Sequence, residues 1–146
     1  METSGQLAAE IEQNVTAALA EDIGGGDLTA LLTPAGHPAR GIVVSREAAV
    51  LCGSAWFDAC FHRLDTSARI RWHARDGDRI EAGQTLCEIE ADTRALLTAE
   101  RPALNFLQLL SGTASVTRSY VDAITGTRAQ IVDTRKTLPG LRLAQK

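Results

Sequence analysis

The residues best suited to chemistry lie together near the end of the chain, in Asp133-Thr134-Arg135-Lys136-Thr137. The apolar pair Ile131-Val132 precedes them and Pro139-Gly140 follows. A short apolar run bounded by turn residues predicts a buried strand over 129–133, with Arg135 and Lys136 where it opens into a loop. Leu141-Arg142-Leu143 then starts a helix. In parallel α/β folds, ligands bind at the carboxyl ends of strands, so two cations there point to an anion. Of the 15 Lys and Arg residues only Lys136 and Lys146 are lysines. Arginine offers a planar fork for a carboxylate or phosphate, and lysine a compact mobile charge. On composition alone, a solvated basic loop accounts for the same residues at least as well, and Arg135 could pair with Asp133.

The bulk properties narrow the classes. The 146 residues, 45% hydrophobic, suit one domain or one domain plus part of another. No apolar stretch approaches the ~20 residues of a membrane helix, and the first residues lack the basic start and apolar core of a signal peptide. Cys52, Cys60 and Cys87 show no CxxC spacing and read as buried thiols of a reducing, cytoplasmic protein. The net charge of −3 conceals a split, −8 over residues 1–93 and +5 over residues 94–146. The second part is therefore the one that faces anions. Nucleic acid is disfavoured, because only Phe106 and Tyr120 offer stacking surfaces among those cations.

Several elements must position this loop. Ser4 is placed to cap a first helix with Leu7, Ile11, Val15 and Leu19 at four-residue spacing, closed by Gly24-Gly25-Gly26. Strands are expected over 40–46, Ala49–Cys52, Ala68–His73 and Leu86–Ile89, with a short helix capped by Ser54 between the second and third. A second helix is expected after Thr98, with Pro102 in its first turn. Ser111-Gly112 interrupts it, and a further helix runs to about Ile124. Residues 40–97 thus form a small antiparallel sheet with a helix across it. Asp22 and Asp27 shape the Gly-rich turn rather than hold a metal, and His37, His62 and His73 read as surface or strand-face residues.

The blocks Glu100-Arg101-Pro102-Ala103-Leu104-Asn105 and Asp133-Thr134-Arg135-Lys136-Thr137-Leu138-Pro139-Gly140-Leu141-Arg142 resemble the quinolinate phosphoribosyltransferase family. Glu21-Asp22-Ile23-Gly24-Gly25-Gly26-Asp27-Leu28-Thr29 is similar to that family's N-terminal segment, and Asp76-Gly77 with Gly83 to its sheet hairpin. The resemblance implies an α/β fold, with an N-terminal α/β sandwich over 1–112 and the start of an open α/β barrel over 113–146. It implies phosphoribosyl transfer from phosphoribosyl pyrophosphate to quinolinate with decarboxylation, on a route to NAD. Mg²⁺ is implied as cofactor, with its ligands outside this chain. A homodimer or larger homo-oligomer is implied as well, with neither nucleic acid nor membrane as partner. A βα-barrel needs about 250 residues. The chain therefore reads as incomplete, lacking the family's later His-Arg pair, lysine and acidic residues, and is expected to be inactive alone.

Residue by residue, the resemblance makes Arg135 and Lys136 the catalytic, substrate-contacting pair. Thr134 adds a hydroxyl and an N–H, and Arg101 is the arginine inserted into a neighbouring subunit's site. Placed in a first helical turn, Arg101 would also borrow the helix dipole. The bland alternative pairs Arg101 with Glu100 or lays its stem on apolar surface. Asp133 reads as an orienting residue. Lys146 matches a family lysine but takes no role, and Pro102 stands where the family has Thr. Two other readings stay open. One is a related phosphoribosyltransferase, acting on nicotinate or associated with molybdenum transport. The other is a biotinyl- or lipoyl-like module built on Asp76–Leu86, which lacks the lysine such a carrier needs.

Overall fold

Alternation along the strands decides the layering. In the computed structural model, which describes residues 4–26, 33, 34 and 36–146, three strands form one antiparallel sheet in the order β1-β5-β3. These are β1 (Pro38–Val44), β3 (Arg69–Trp72) and β5 (Thr85–Asp92). In β1 and β3 exposed and part-buried residues alternate, as expected of strands with one wet face. The register aligns Arg40 with Glu90 and Glu90 with Arg69, while Ile42, Glu88 and Arg71 form the next row. On the outer face Arg40 meets Glu90 and Arg71 meets Glu88, each at 2.6 Å. His73 Nε2 lies 2.9 Å from the same Glu88 carboxylate. These exposed pairs are worth at most about 1 kcal/mol each and keep the open face polar. A second, two-stranded piece pairs β2 (Ala49–Val50) with β4 (Arg79–Ile80).

The inner face is covered by helices. α1 (Ser4–Ile23) contributes Val15 and Leu19, and α2 (Ser54–Leu64) contributes Trp56, Phe57, Cys60 and Phe61. α3 (Thr93–Ala123) contributes Ala99, Ala103, Leu107 and Leu110. Phe57 stacks on Phe61 at 5.0 Å and edge-on against Trp72 at 5.3 Å, linking helix to sheet. Burial pushes the Cys60 and Cys87 thiols up to about 12, so both are packing groups rather than nucleophiles.

Three expectations are corrected. First, α3 is a single 31-residue helix. Its start is set by Asp92, whose carboxylate accepts the N–H groups of Arg94 and Ala95 at 2.9 and 3.4 Å. Pro102 is therefore interior, and Arg101 is too far from the N-terminus to feel its dipole. Ser111-Gly112 does not interrupt the helix. Ser111 and Ser115 are held by the adjoining chain, for Ser111 Oγ accepts from Cys52 N–H at 3.0 Å and Ser115 Oγ from Val50 N–H at 2.7 Å. Those bonds, and the burial of Phe106, Leu107 and Leu110, outweigh the roughly 1 kcal/mol a helical glycine costs.

Second, Ser54 does not cap α2. The cap is Gly53, at φ 106°, where a side chain would crowd Leu110 Cδ1 at 3.1 Å. Asp76, from the turn before β4, accepts Gly53 N–H at 3.0 Å and Ser54 N–H at 3.2 Å. Third, residues 129–133 form no strand, since no described strand pairs with them and Ile131 and Val132 are exposed. A strand exists only through a neighbour's hydrogen bonds. The Ser4 side chain and Asp27 lie outside the described residues, so their expected capping and turn roles do too.

Two outcomes follow. Asp76→Ala should cost about 1–2 kcal/mol in thermal or denaturant unfolding, because it orphans two N–H donors at a helix start. Asp122, near the end of α3, accepts from Arg79 and Arg118. The Arg79 hydrogen bond, above all, holds its carboxyl below the ordinary value of 3.8. A lowered carboxylate stabilises the fold above its unfolded value and loses that contribution as pH falls through the folded one. The melting-temperature difference between the chain and Arg79→Leu should therefore be present at neutral pH and vanish on acidification below 3.8.

Candidate anion site

The segment that carries the cations is extended, exposed and anchored on one side. After α3 the chain runs through Asp133, Thr134, Arg135 and Lys136, all exposed. Among the described residues Arg135 is the non-glycine with positive φ, at 58°. An L-residue there costs on the order of 1–3 kcal/mol, a cost that surrounding structure must hold in place and that recurs at ligand sites. Neither the Arg135 nor the Lys136 side chain has an ion pair or hydrogen bond with another described residue, so the Asp133–Arg135 pairing does not form.

The anchor lies downstream, in Leu138–Gln145, which folds back on α1 and α3. Asn14 of α1 donates Nδ2–H to Gly140 O at 2.9 Å, while its Oδ1 accepts the Trp56 indole N–H at 3.0 Å. Glu10, one turn earlier, accepts Leu143 N–H at 3.0 Å at the start of α4 (Arg142–Gln145). Gln145 accepts Leu138 N–H at 2.8 Å and reaches Thr113 Oγ1 at 3.3 Å, and Ala144 is buried. Pro139-Gly140 is thus a turn as expected, with Gly140 at φ 82°. Sequence reasoning missed Glu10 and Asn14. Their signal was an i,i+4 polar pair beside the apolar stripe of α1, which is ordinarily a solvated face.

Arg101 sits elsewhere. It is twelve residues before Thr113 on α3, or about 18 Å along the axis at 1.5 Å per residue. Among the described residues its partner is Asp22, not Glu100. Arg101 Nε donates to Asp22 Oδ1 and Oδ2 at 3.1 and 3.2 Å, and Nη2 to Oδ2 at 3.0 Å. This fork borders a groove of about 410 Å³ between α1 and α3, lined by Glu21, Asp22, Asn105, Phe106 and Leu109 among others. Within one chain, then, Arg101 stands at one level of α3 and the Arg135–Lys136 loop is tied to another. A second cleft, of about 390 Å³, lies at the sheet end beside Asp65 and Asp92. Those carboxylates are committed to backbone, Asp65 to the N–H groups of Ser67 and Asp92, and Asp92 to those of Gly36 and Arg94. His37, His62 and His73 are exposed, as expected.

Residues 27–111 match the family described as quinolinate phosphoribosyl transferase, N-terminal domain, and residues 113–146 match its C-terminal domain. A nicotinate-nucleotide pyrophosphorylase (carboxylating) of Mycobacterium leprae is 45% identical over 136 residues, covering 88% of this chain and 47% of that protein. A probable enzyme of the same name from Bacillus subtilis is 36% identical over 126 residues, covering 86% and 44%. The solved nicotinate-nucleotide pyrophosphorylase of Francisella tularensis superposes with a TM-score of 0.89 at 39% identity, covering 94% of this chain and 49% of that one. The chain spans about half the length of the curated relatives it matches. The fold class is the expected one, an N-terminal antiparallel sheet domain with helices followed by the start of an α/β barrel.

Asn14→Ala should release the Pro139-Gly140 turn. Faster amide exchange at Leu141 and Leu143 is expected, with a loss of about 1–2 kcal/mol in unfolding, because the Trp56 N–H and Gly140 O each lose a partner.

Proposed function

This chain belongs to the quinolinate phosphoribosyl transferase family, and from that premise we propose that it provides the sheet domain and the opening of the barrel domain of an enzyme that makes nicotinate mononucleotide from quinolinate and phosphoribosyl pyrophosphate. The observation that carries the reading is the Arg135–Lys136 pair, exposed, without side-chain partners among the described residues and held at a strained backbone position upstream of an anchored turn.

Quinolinate bears two adjacent carboxylates and its co-substrate several phosphate charges. The Arg135 fork grips a carboxylate, Lys136 adds a mobile charge, and Thr134 supplies a hydroxyl and an N–H. Arg101 reaches the corresponding site of a neighbouring subunit in a homodimer or larger homo-oligomer, which fits its separation from the loop within one chain. Held in this way, the pyridine nitrogen forms a bond to ribose C1 as the C1–O bond to pyrophosphate breaks, through a transition state of oxocarbenium character. Carbon dioxide then leaves from C2, which takes up a proton. The work of these residues is positioning and charge stabilisation.

Mg²⁺ is implied by the family. Among the described residues no group of three or more His, Cys, Asp or Glu converges to hold a metal. Both Asp22 oxygens are engaged by Arg101. These residues do not make a magnesium cradle, and no step is assigned to the ion. None of the described helices is long and apolar enough to cross a membrane, and a cytoplasmic location is part of the same proposal.

Calorimetric titration of the native-length protein tests the assignment. Quinolinate should bind and nicotinate should not, and Arg135→Ala should weaken quinolinate by at least about tenfold, the loss expected for a charge-assisted fork. Binding of nicotinate alone, or of neither, would move the assignment to a related phosphoribosyltransferase. Mixing and refolding Arg101→Ala with Arg135→Ala protein should restore about a quarter of wild-type turnover, since half of randomly formed dimers carry one intact shared site. No recovery would place Arg101 in its own subunit's site.

A further inference from the structure

We propose that Asp22 is a positioning residue for Arg101, holding its guanidinium in the orientation in which it meets substrate. This rests on the reading of Arg101 as a substrate contact. Three observations carry it.

The first is geometry. Asp22 engages Arg101 through both carboxylate oxygens and through Nε as well as Nη2, with contacts of 3.0–3.2 Å. A fork of this kind fixes the plane of the guanidinium, where a single contact would leave the long side chain to rotate. The second is place. Asp22 lies in the last turn of α1, which ends at Ile23 and holds no basic residue there. A carboxylate at a helix C-terminus is locally unfavourable, because the partial charge of that end is negative. Helix energetics therefore do not account for Asp22, whereas a cation brought from 79 residues away does. The third is environment. The Asp22 side chain is 23% exposed and that of Arg101 42%, beside the α1–α3 groove. The pair is sheltered enough to be ordered, and the arginine is open enough to be reached.

Asp22 contributes aim rather than attraction, since its own charge opposes that of an anionic ligand. Its removal is therefore read in KM for quinolinate, through Arg101 alone. In the native-length protein, Asp22→Asn should raise KM for quinolinate about tenfold with kcat within about twofold, and Asp22→Glu should recover part of the loss. In an Arg101→Ala background, Asp22→Asn should change neither constant. An Asp22→Asn enzyme with wild-type KM, or an equal KM rise with and without Arg101, would overturn the positioning role. The second of those results would mark Asp22 as a purely structural residue. An Arg101→Ala enzyme with unchanged constants would instead overturn the reading of Arg101 as a substrate contact, and the inference with it.

Discussion

The continuity of α3 is the constraint on which the rest of the molecule depends. Its first half buries Ala95, Ala99, Ala103, Phe106, Leu107 and Leu110 against the sheet and the other helices. Its second half stands largely in solvent, fastened by Ser111 and Ser115 to the 50–52 backbone and by Asp122 to Arg79. Without those fasteners the exposed half would have only helix propensity to sustain it, and an isolated stretch of that length is marginal in water. Because α3 remains a single rod, Arg101 and Thr113 keep a fixed separation. The helix sets the spacing between Arg101 and the segment that carries Arg135 and Lys136.

α1 completes the arrangement from the opposite side. It buries Val15 and Leu19, and side chains of its polar flank hold other parts of the chain. Glu10 and Asn14 hold the returning segment around Pro139-Gly140 and Leu143, and Asp22 holds Arg101. One amphipathic helix thus serves as core element and as scaffold for both the cationic loop and the distant arginine. Directional hydrogen bonds suit that task, and the part-buried one from Leu143 N–H to Glu10 costs about 1–3 kcal/mol to leave unmade. The strain at Arg135 persists beside an anchor of this sort, where a free chain would relax it.

Much of this was legible in the order of residues, and the misreadings share a cause. Gly24-Gly25-Gly26 ends α1 because a run of glycines cannot sustain a helix, and the alternation of Ala68, Ile70 and Trp72 with arginines follows from the two-residue period of a strand. Pro102 was misleading because proline is common at a helix start. The actual start lies at Asp92, and the proline is carried in the interior by packing, where it is buried. Ser111-Gly112 misled in the same way, since the bonds that keep the helix intact come from residues 50 and 52. Ile131-Val132 carries the apolar signature of a strand, but pairing, not composition, makes one.

By itself the sequence determined the layer order of helix and sheet, the basic character of residues 94–146 and the family blocks around Arg101 and Arg135, because periodicity, charge and motif are local properties. Only the tertiary structure decided that Arg101 answers to Asp22 rather than to Glu100, that Asp76 caps α2, and that Asn14 holds the Pro139-Gly140 turn. Each of those contacts joins groups far apart in the chain. A hydrogen bond a few ångströms long between such groups exists only after the core has brought their backbones together, and no spacing along the chain encodes it.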